Sequence, residues 1–263
     1  MKKIIFSVLL GLLLVSCSTV LLTGRKQLLL VSDSEVLTSS FQSYKQFIDS
    51  VPASTNKTQT ALVKKVGKNI STVVEAYLNS NGMSADVANL SWEFNLVKDT
   101  SVNAFCMPGG KVVVFEGILP VTKNEVGLAV VLGHEIAHAI AKHSNERMSQ
   151  QMIVQYGASI TDALLTNKPA TTRATINTIY GIGAQYGVML PYSRKHEYEA
   201  DQLGLIFLAM AGYDPNEAIT FWERMAAQSK NAPMEFMSTH PSDANRIAKL
   251  KELLPEALKY YKK

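Results

Sequence analysis

LAVVLGHEIAHAIAKH, residues 128–143, places three of the chain's five histidines and one acid inside an apolar run of helical character. His134 and His138 stand four positions apart, so on a helix their imidazoles share one face about 6 Å apart along the axis, close enough to bind one ion. Zinc takes nitrogen ligands at about 2.0–2.1 Å and prefers four of them. Glu135 points roughly 100° around the helix, which makes it a base reaching a water on the metal rather than a ligand. Leu128, Val130, Val131, Leu132, Ile136 and Ile140 surround the motif. Two histidines in that setting need partners or a metal, because an unpaired buried polar group is costly. His143 lies on another face and reads either as a solvent-facing residue at the helix end or as one that supports the ligands from behind.

A catalytic zinc keeps three protein ligands and an open position, so a third ligand is expected downstream. The stretch SRKHEYEAD, residues 193–201, offers Glu197 and Asp201 on one face of a second helix, with Ala200 leaving room for close helix packing. Glu197 completes the ligand set in this reading. Asp201 is expected to accept the outer N–H of a ligand imidazole, that of His134, fixing its tautomer. His196 reads as a surface residue, and Glu199 falls nearly opposite Glu197.

Around this centre the pattern is mixed. Helical periodicity covers Glu35 to Asp49 and Gln59 to Leu78, then alternation at Trp92, Phe94 and Leu96 signals strand. Val102 to Met107 and Lys111 to Phe115 flank the turn Pro108-Gly109-Gly110, predicting a hairpin. Helices follow at roughly 124–143, 145–165, 170–187, 195–211, 215–229 and 242–261. The fold class is α+β, mostly α. The segment from Asp162 to Leu190, with Gly181, Gly183 and Gly187, is either a cover over a cleft or a plain packing helix. With 263 residues and 47% hydrophobic content, residues 17–263 are expected to form one domain that begins with an extended tether.

These motifs resemble the gluzincin metallopeptidases, and SRKHEYEAD is similar to the family that contains the heat-shock protease HtpX and the CAAX prenyl protease (Ste-type). VNAFCMPGGKVVVFEGIL and THPSDANRI extend the likeness, which covers about residues 90–250. It implies a zincin-like fold with a small sheet, one zinc ion held by His134, His138 and Glu197, and hydrolysis of polypeptide substrates with Glu135 as base. It further implies that residues 101–106 form an exposed edge strand where Asn103 and Ala104 hold the substrate peptide, a mode in which main-chain hydrogen bonds do the binding. His240 is expected to donate to the oxyanion or to fill the fourth zinc position at rest, and Arg246 to bind a substrate carbonyl. The family contains latent members, so the rival reading is a zinc-stabilised envelope chaperone or scaffold with a silent site.

The opening MKKIIFSVLLGLLLVSCS has the layout of a secretory signal, too short in its apolar core to span a membrane. Leu14-Val15-Ser16-Cys17 resembles a lipobox, which implies a leader over 1–16 and a lipid on Cys17. The expected protein is therefore an exported lipoprotein anchored to the membrane and facing the periplasm, with Ser18 pointing to the outer membrane. Cys106 is then the remaining thiol and reads as a core residue. The formal charge of +4 falls to +2 once Lys2 and Lys3 leave, 24 basic residues facing 22 acids, so no nucleic-acid footprint exists.

Overall fold

The computed structural model describes residues 17–229, 235–240 and 245–262, and over these the chain is mostly helical with a small sheet, an α+β fold. The leader expected over residues 1–16 lies outside the described residues. Strands β1 (Cys17–Thr19) and β2 (Lys26–Leu28) precede helices α1 (Asp33–Ser50), α2 (Lys57–Ser80) and α3 (Ser84–Ala88). Next come β3 (Glu93–Val97), β4 (Ala104–Met107), β5 (Lys111–Phe115), the short α4 (Leu119–Thr122) and α5 (Glu125–Ile140). The order ends with α6 (His143–Leu164), α7 (Ala170–Ala184), α8 (Leu190–Met210), α9 (Glu217–Ser229), α10 (Glu235–Thr239) and α11 (Arg246–Leu258). Two compact units share these elements. One draws on the chain up to Val36 and on Lys142–His196, the other on Leu37–Ala141 and on Glu197 onward.

The second unit is built around β5, whose five residues are all buried. It pairs in parallel with β3 and antiparallel with β4, giving the order β3-β5-β4. The turn between β4 and β5 places Gly109 and Gly110 at φ 84°, a left-handed backbone that glycine adopts without steric cost. A side chain at Gly109 would also meet the Phe41 ring at 2.4 Å. Val113 and Phe115 pack with Tyr44 and Phe47 of α1. Helix α2 buries Val63, Val66, Ile70, Val74 and Leu78, a stripe at helical spacing, and packs on β3 and α5. Helix α5 is buried from Gly127 to His138 because it is covered by α2, α4, α9 and β4.

In the first unit the expected extended tether is instead a hairpin, with Cys17 opposite Leu28 and Thr19 opposite Lys26. Its turn is made by Leu22 and Gly24, both at φ 68°, and the Lys26 ammonium donates to the Thr19 hydroxyl at 2.7 Å. A second correction concerns His143 and His196, both expected at the surface. Each is 1% exposed, and their rings stack with centroids 4.3 Å apart. For His196 the partner is Glu146, whose carboxylate accepts from Arg25 at 2.9 and 2.7 Å and lies 2.9 Å from His196 Nε2. Burial alone would raise the Glu146 pKa, but His196 and Arg25 outweigh it and hold the group down at about 2. Beyond Gln150 neither α6 nor α7 contains a buried residue.

Candidate metal centre

Asn124 caps α5 by accepting from the Gly127 N–H at 2.8 Å, and Glu125 in the first turn suits the positive end of the helix dipole. Helix α8 crosses α5 at two glycines. A Cβ on Gly204 would meet His134 N at 3.0 Å and Gly133 C at 3.1 Å, so the backbones touch where side chains normally intervene. Ala200, the residue expected to allow this approach, is fully buried one turn away. The close crossing carries Glu197 and Asp201 to the histidines of α5.

Four side chains converge there: His134, His138, Glu197 and His240, all buried, with one donor atom from each within 4.8 Å of the others. His134 Nε2 lies 3.1 Å from His138 Nε2, 3.2 Å from His240 Nδ1 and 3.3 Å from Glu197 Oε2. His240 Nδ1 is 3.2 Å from Glu197 Oε2, and His138 Nε2 is 3.5 Å from Glu197 Oε1. His134 Nε2 faces three such atoms at once, more than the single proton of an imidazole nitrogen can serve. His134 Nδ1 faces Asp201 Oδ1 at 3.0 Å and donates its proton there, leaving a lone pair on Nε2 directed at the other three. Lone pairs and a carboxylate converging in a buried space are mutually repulsive without a cation. A tetrahedral ion with ligands at about 2.0–2.1 Å would separate its donors by roughly 3.3 Å, the spacing found here. Glu197 Oε1 is buried with no hydrogen-bond partner among the described residues. The residues therefore fit a divalent metal ion.

Burial would raise the Glu197 pKa, yet the His138 charge and contacts to His134 and His240 hold it well below the usual range, ready to ligate. Glu135 behaves oppositely: burial, augmented by the Glu197 charge, pushes it up to about 7 against His240 and Arg246. Its carboxylate accepts from the Cys106 backbone N–H of β4, and His240 Nε2 stands 3.4 Å from its Oε1. A carboxylate poised near neutral beside a metal site can take up and return a proton.

Arg246, expected to bind a substrate carbonyl, is 1% exposed and grips Asp201 with Nε at 2.8 Å and Nη2 at 2.7 Å. Its Nη1 lies 3.4 Å from Glu197 Oε2, and its guanidinium carbon sits 3.4 Å from the Trp222 ring centroid. Desolvation opposes ionisation of Asp201, but the Arg246 charge keeps its pKa lowered. Asn103 and Ala104 sit where β4 begins. Asn103 Oδ1 accepts from the Ala104 N–H at 2.9 Å, and Asn103 O accepts from Phe115 N at 3.1 Å. By the antiparallel alternation, the main-chain groups of Ala104 and Cys106 then point away from β5, and β4 is an edge strand among the described residues. Cys106 is buried, and desolvation pushes its thiol well up. Gly133, Gly204 and the role of Trp222 under Arg246 are what residue spacing did not reveal.

A sequence model of Peptidase family M48 matches residues 65–254. The chain is 43% identical over 190 residues to the mitochondrial metalloendopeptidase OMA1 of Schizosaccharomyces pombe, covering 72% of this chain and 53% of the relative. It is 29% identical over 244 residues to the mitochondrial metalloendopeptidase OMA1 of Homo sapiens, covering 90% and 46%. To the beta-barrel assembly-enhancing protease of Escherichia coli K12 it is 30% identical over 182 residues, covering 65% and 37%. The chain spans about half the length of the first of these relatives. They overturn the expected outer-membrane lipoprotein of the periplasm: relatives from two yeasts, a plant and human are mitochondrial proteins, and the bacterial relative matches a smaller share of the chain. The narrower likeness to HtpX and the CAAX prenyl protease is not what these names carry.

Proposed function

The chain belongs to peptidase family M48, and from that premise we propose that it is a zinc-dependent endopeptidase acting on polypeptide chains. The observation that carries the reading is the convergence of two imidazoles on α5 and the Glu197 carboxylate on α8 at ligand spacing, with Glu135 beside them. His134, His138 and Glu197 would hold the ion, a donor set zinc accepts. When bound, zinc supplies Lewis acidity to a peptide carbonyl and makes water more acidic.

The chain's own residues do the rest. Glu135 takes a proton from water at its carboxylate and delivers it to the leaving amine nitrogen, a two-way transfer suited to a pKa of about 7. The Cys106 N–H aims that carboxylate, so the open side of β4 leads to the base. A substrate peptide pairing along β4 at Asn103 and Ala104 thus brings its backbone to the site. Asp201 holds His134 in one tautomer, and Arg246 holds Asp201. His240 Nε2 would donate to the developing oxyanion once its ring leaves the cluster.

One observation favours the second reading, a zinc-stabilised scaffold with a silent site: His240 Nδ1 already stands 3.2 Å from both His134 and Glu197 and fills the fourth corner. The decisive experiment is Glu135→Gln, scored by metal content and by digestion of casein. Zinc should stay stoichiometric while cleavage drops by at least about a hundredfold. Cleavage at the parental rate sinks the base assignment, and equal rescue of a deletion strain by parent and variant favours the scaffold. His240→Ala then sorts the two roles of that ring. Faster digestion identifies a closing ligand, slower digestion an oxyanion donor.

A further inference from the structure

Helices α6 and α7 form a hairpin held by the Tyr180 hydroxyl donating to Val154 O at 3.0 Å and by Arg173 on Asp162 at 2.8 and 2.7 Å. Beyond those contacts it stands bare. Ile160 is 62% exposed, Leu164 79%, Ile179 64% and Tyr186 69%, with Ile153 and Ile182 exposed beside them. Helices in proteins owe most of their stability to a packed apolar face, so a pair with none past Gln150 needs a cover.

Charge says what the cover is. Met148 to Thr161 and Ala174 to Ser193 contain no charged residue, while Arg147, Lys168, Arg173, Arg194 and Lys195 flank or join them against the single acid Asp162. Five basic residues and one acid over 147–195 leave 21 of each in the rest of the chain, so the formal charge of +4 falls on the stretch from Arg147 in α6 to Lys195 in the first turns of α8. Two copies packed face to face would bring like charges together. An anionic lipid surface offers the opposite sign to the basic flanks and an apolar phase to the isoleucines, the arrangement of helices that lie in a membrane interface. No helix among the described residues is long and apolar enough to cross a membrane.

We propose that the α6–α7 hairpin docks on anionic lipid, its uncharged faces entering the headgroup boundary, with Arg147 and Lys168 of the hairpin and Arg194 at the start of α8 meeting the lipid charge. The interaction is independent of the peptidase reading and of any leader. Because the apolar residues near the N-terminus would bind vesicles by themselves, the readout is placed just past α7: Tyr186→Trp in the full chain, mixed with vesicles carrying brominated acyl chains, its emission taken as the difference from the parent, which already holds Trp92 and Trp222. On phosphatidylcholine with about 30% phosphatidylglycerol, emission from residue 186 should shift to the blue and be quenched, and much less so on phosphatidylcholine alone. Neutralising Arg147, Lys168 and Arg194 to Gln should cost about fivefold in affinity each, on the order of a hundredfold together, as should raised salt. Tryptophan emission that stays water-like on anionic vesicles overturns the proposal. So does quenching unchanged by the triple substitution, or a blue shift without vesicles that grows with protein concentration, which would assign the face to a second copy. Circular dichroism of each variant confirms that the helices persist.

Discussion

At the scale of single residues the site is a relay of fixed partners. Arg246 grips Asp201, Asp201 holds His134 Nδ1, and His134 Nε2 faces the ligand cluster. Asp201→Asn should therefore weaken metal binding by about 10–100-fold, read by competition with a chelator, because the amide neither fixes the tautomer nor sustains the basicity of the ring. An unchanged metal affinity would reduce Asp201 to a packing residue. The spacing of His134 and His138 was legible because an i, i+4 pair shares a helix face whatever lies around it. His240 lies 106 positions from His134, and only tertiary packing brings the two rings together. The burial of His143 and His196 was illegible for the same reason. His196 meets its acid partner Glu146 across 50 positions and His143 stacks on His196, and periodicity carries no trace of either pairing.

At the scale of elements, the crossing of α5 and α8 decides whether the ligands meet. Gly204→Ala would place a methyl 3.0 Å from the His134 backbone, with no flexible side chain there to yield. The expected cost is about 1–3 kcal/mol in chemical denaturation together with weaker metal retention. If both are unchanged, the helices are not held by that contact. The contrast is Gly181→Ala on the exposed face of α7, where a Cβ meets nothing within 4 Å. Removing a helix glycine there should stabilise by up to about 1 kcal/mol. The strands at the β4–β5 hairpin were legible from alternation and the Pro-Gly-Gly turn. That β3 runs parallel to β5 was not, since direction depends on the connection rather than on the residues of either strand.

At the scale of the whole molecule, acid stability should carry the mark of Glu146. Its folded pKa of about 2 lies below its ordinary value of 4.5, so its contribution is fully present above pH 4.5 and is lost as pH falls towards 2. Between pH 5 and pH 3 the parent should lose on the order of 2 kcal/mol that Glu146→Gln does not, measured by denaturant titration at each pH. Parallel stability curves for the two proteins would remove the group from the account. The overall class, helices around a small sheet, was readable from period alone. The division into two interleaved units was not, because no run of Pro, Gly or Ser marks Val36, Lys142 or His196.

The ring of His240 standing among the other donors has a kinetic meaning. On the proposed function, an incoming chain would not find a vacant seat but would have to evict an intramolecular competitor, whose effective concentration no dilution can lower. Segments that dock firmly through their main chain along the adjoining strand can meet that cost, whereas loosely held ones leave before the seat is free, so the site would discriminate by residence time as much as by sequence.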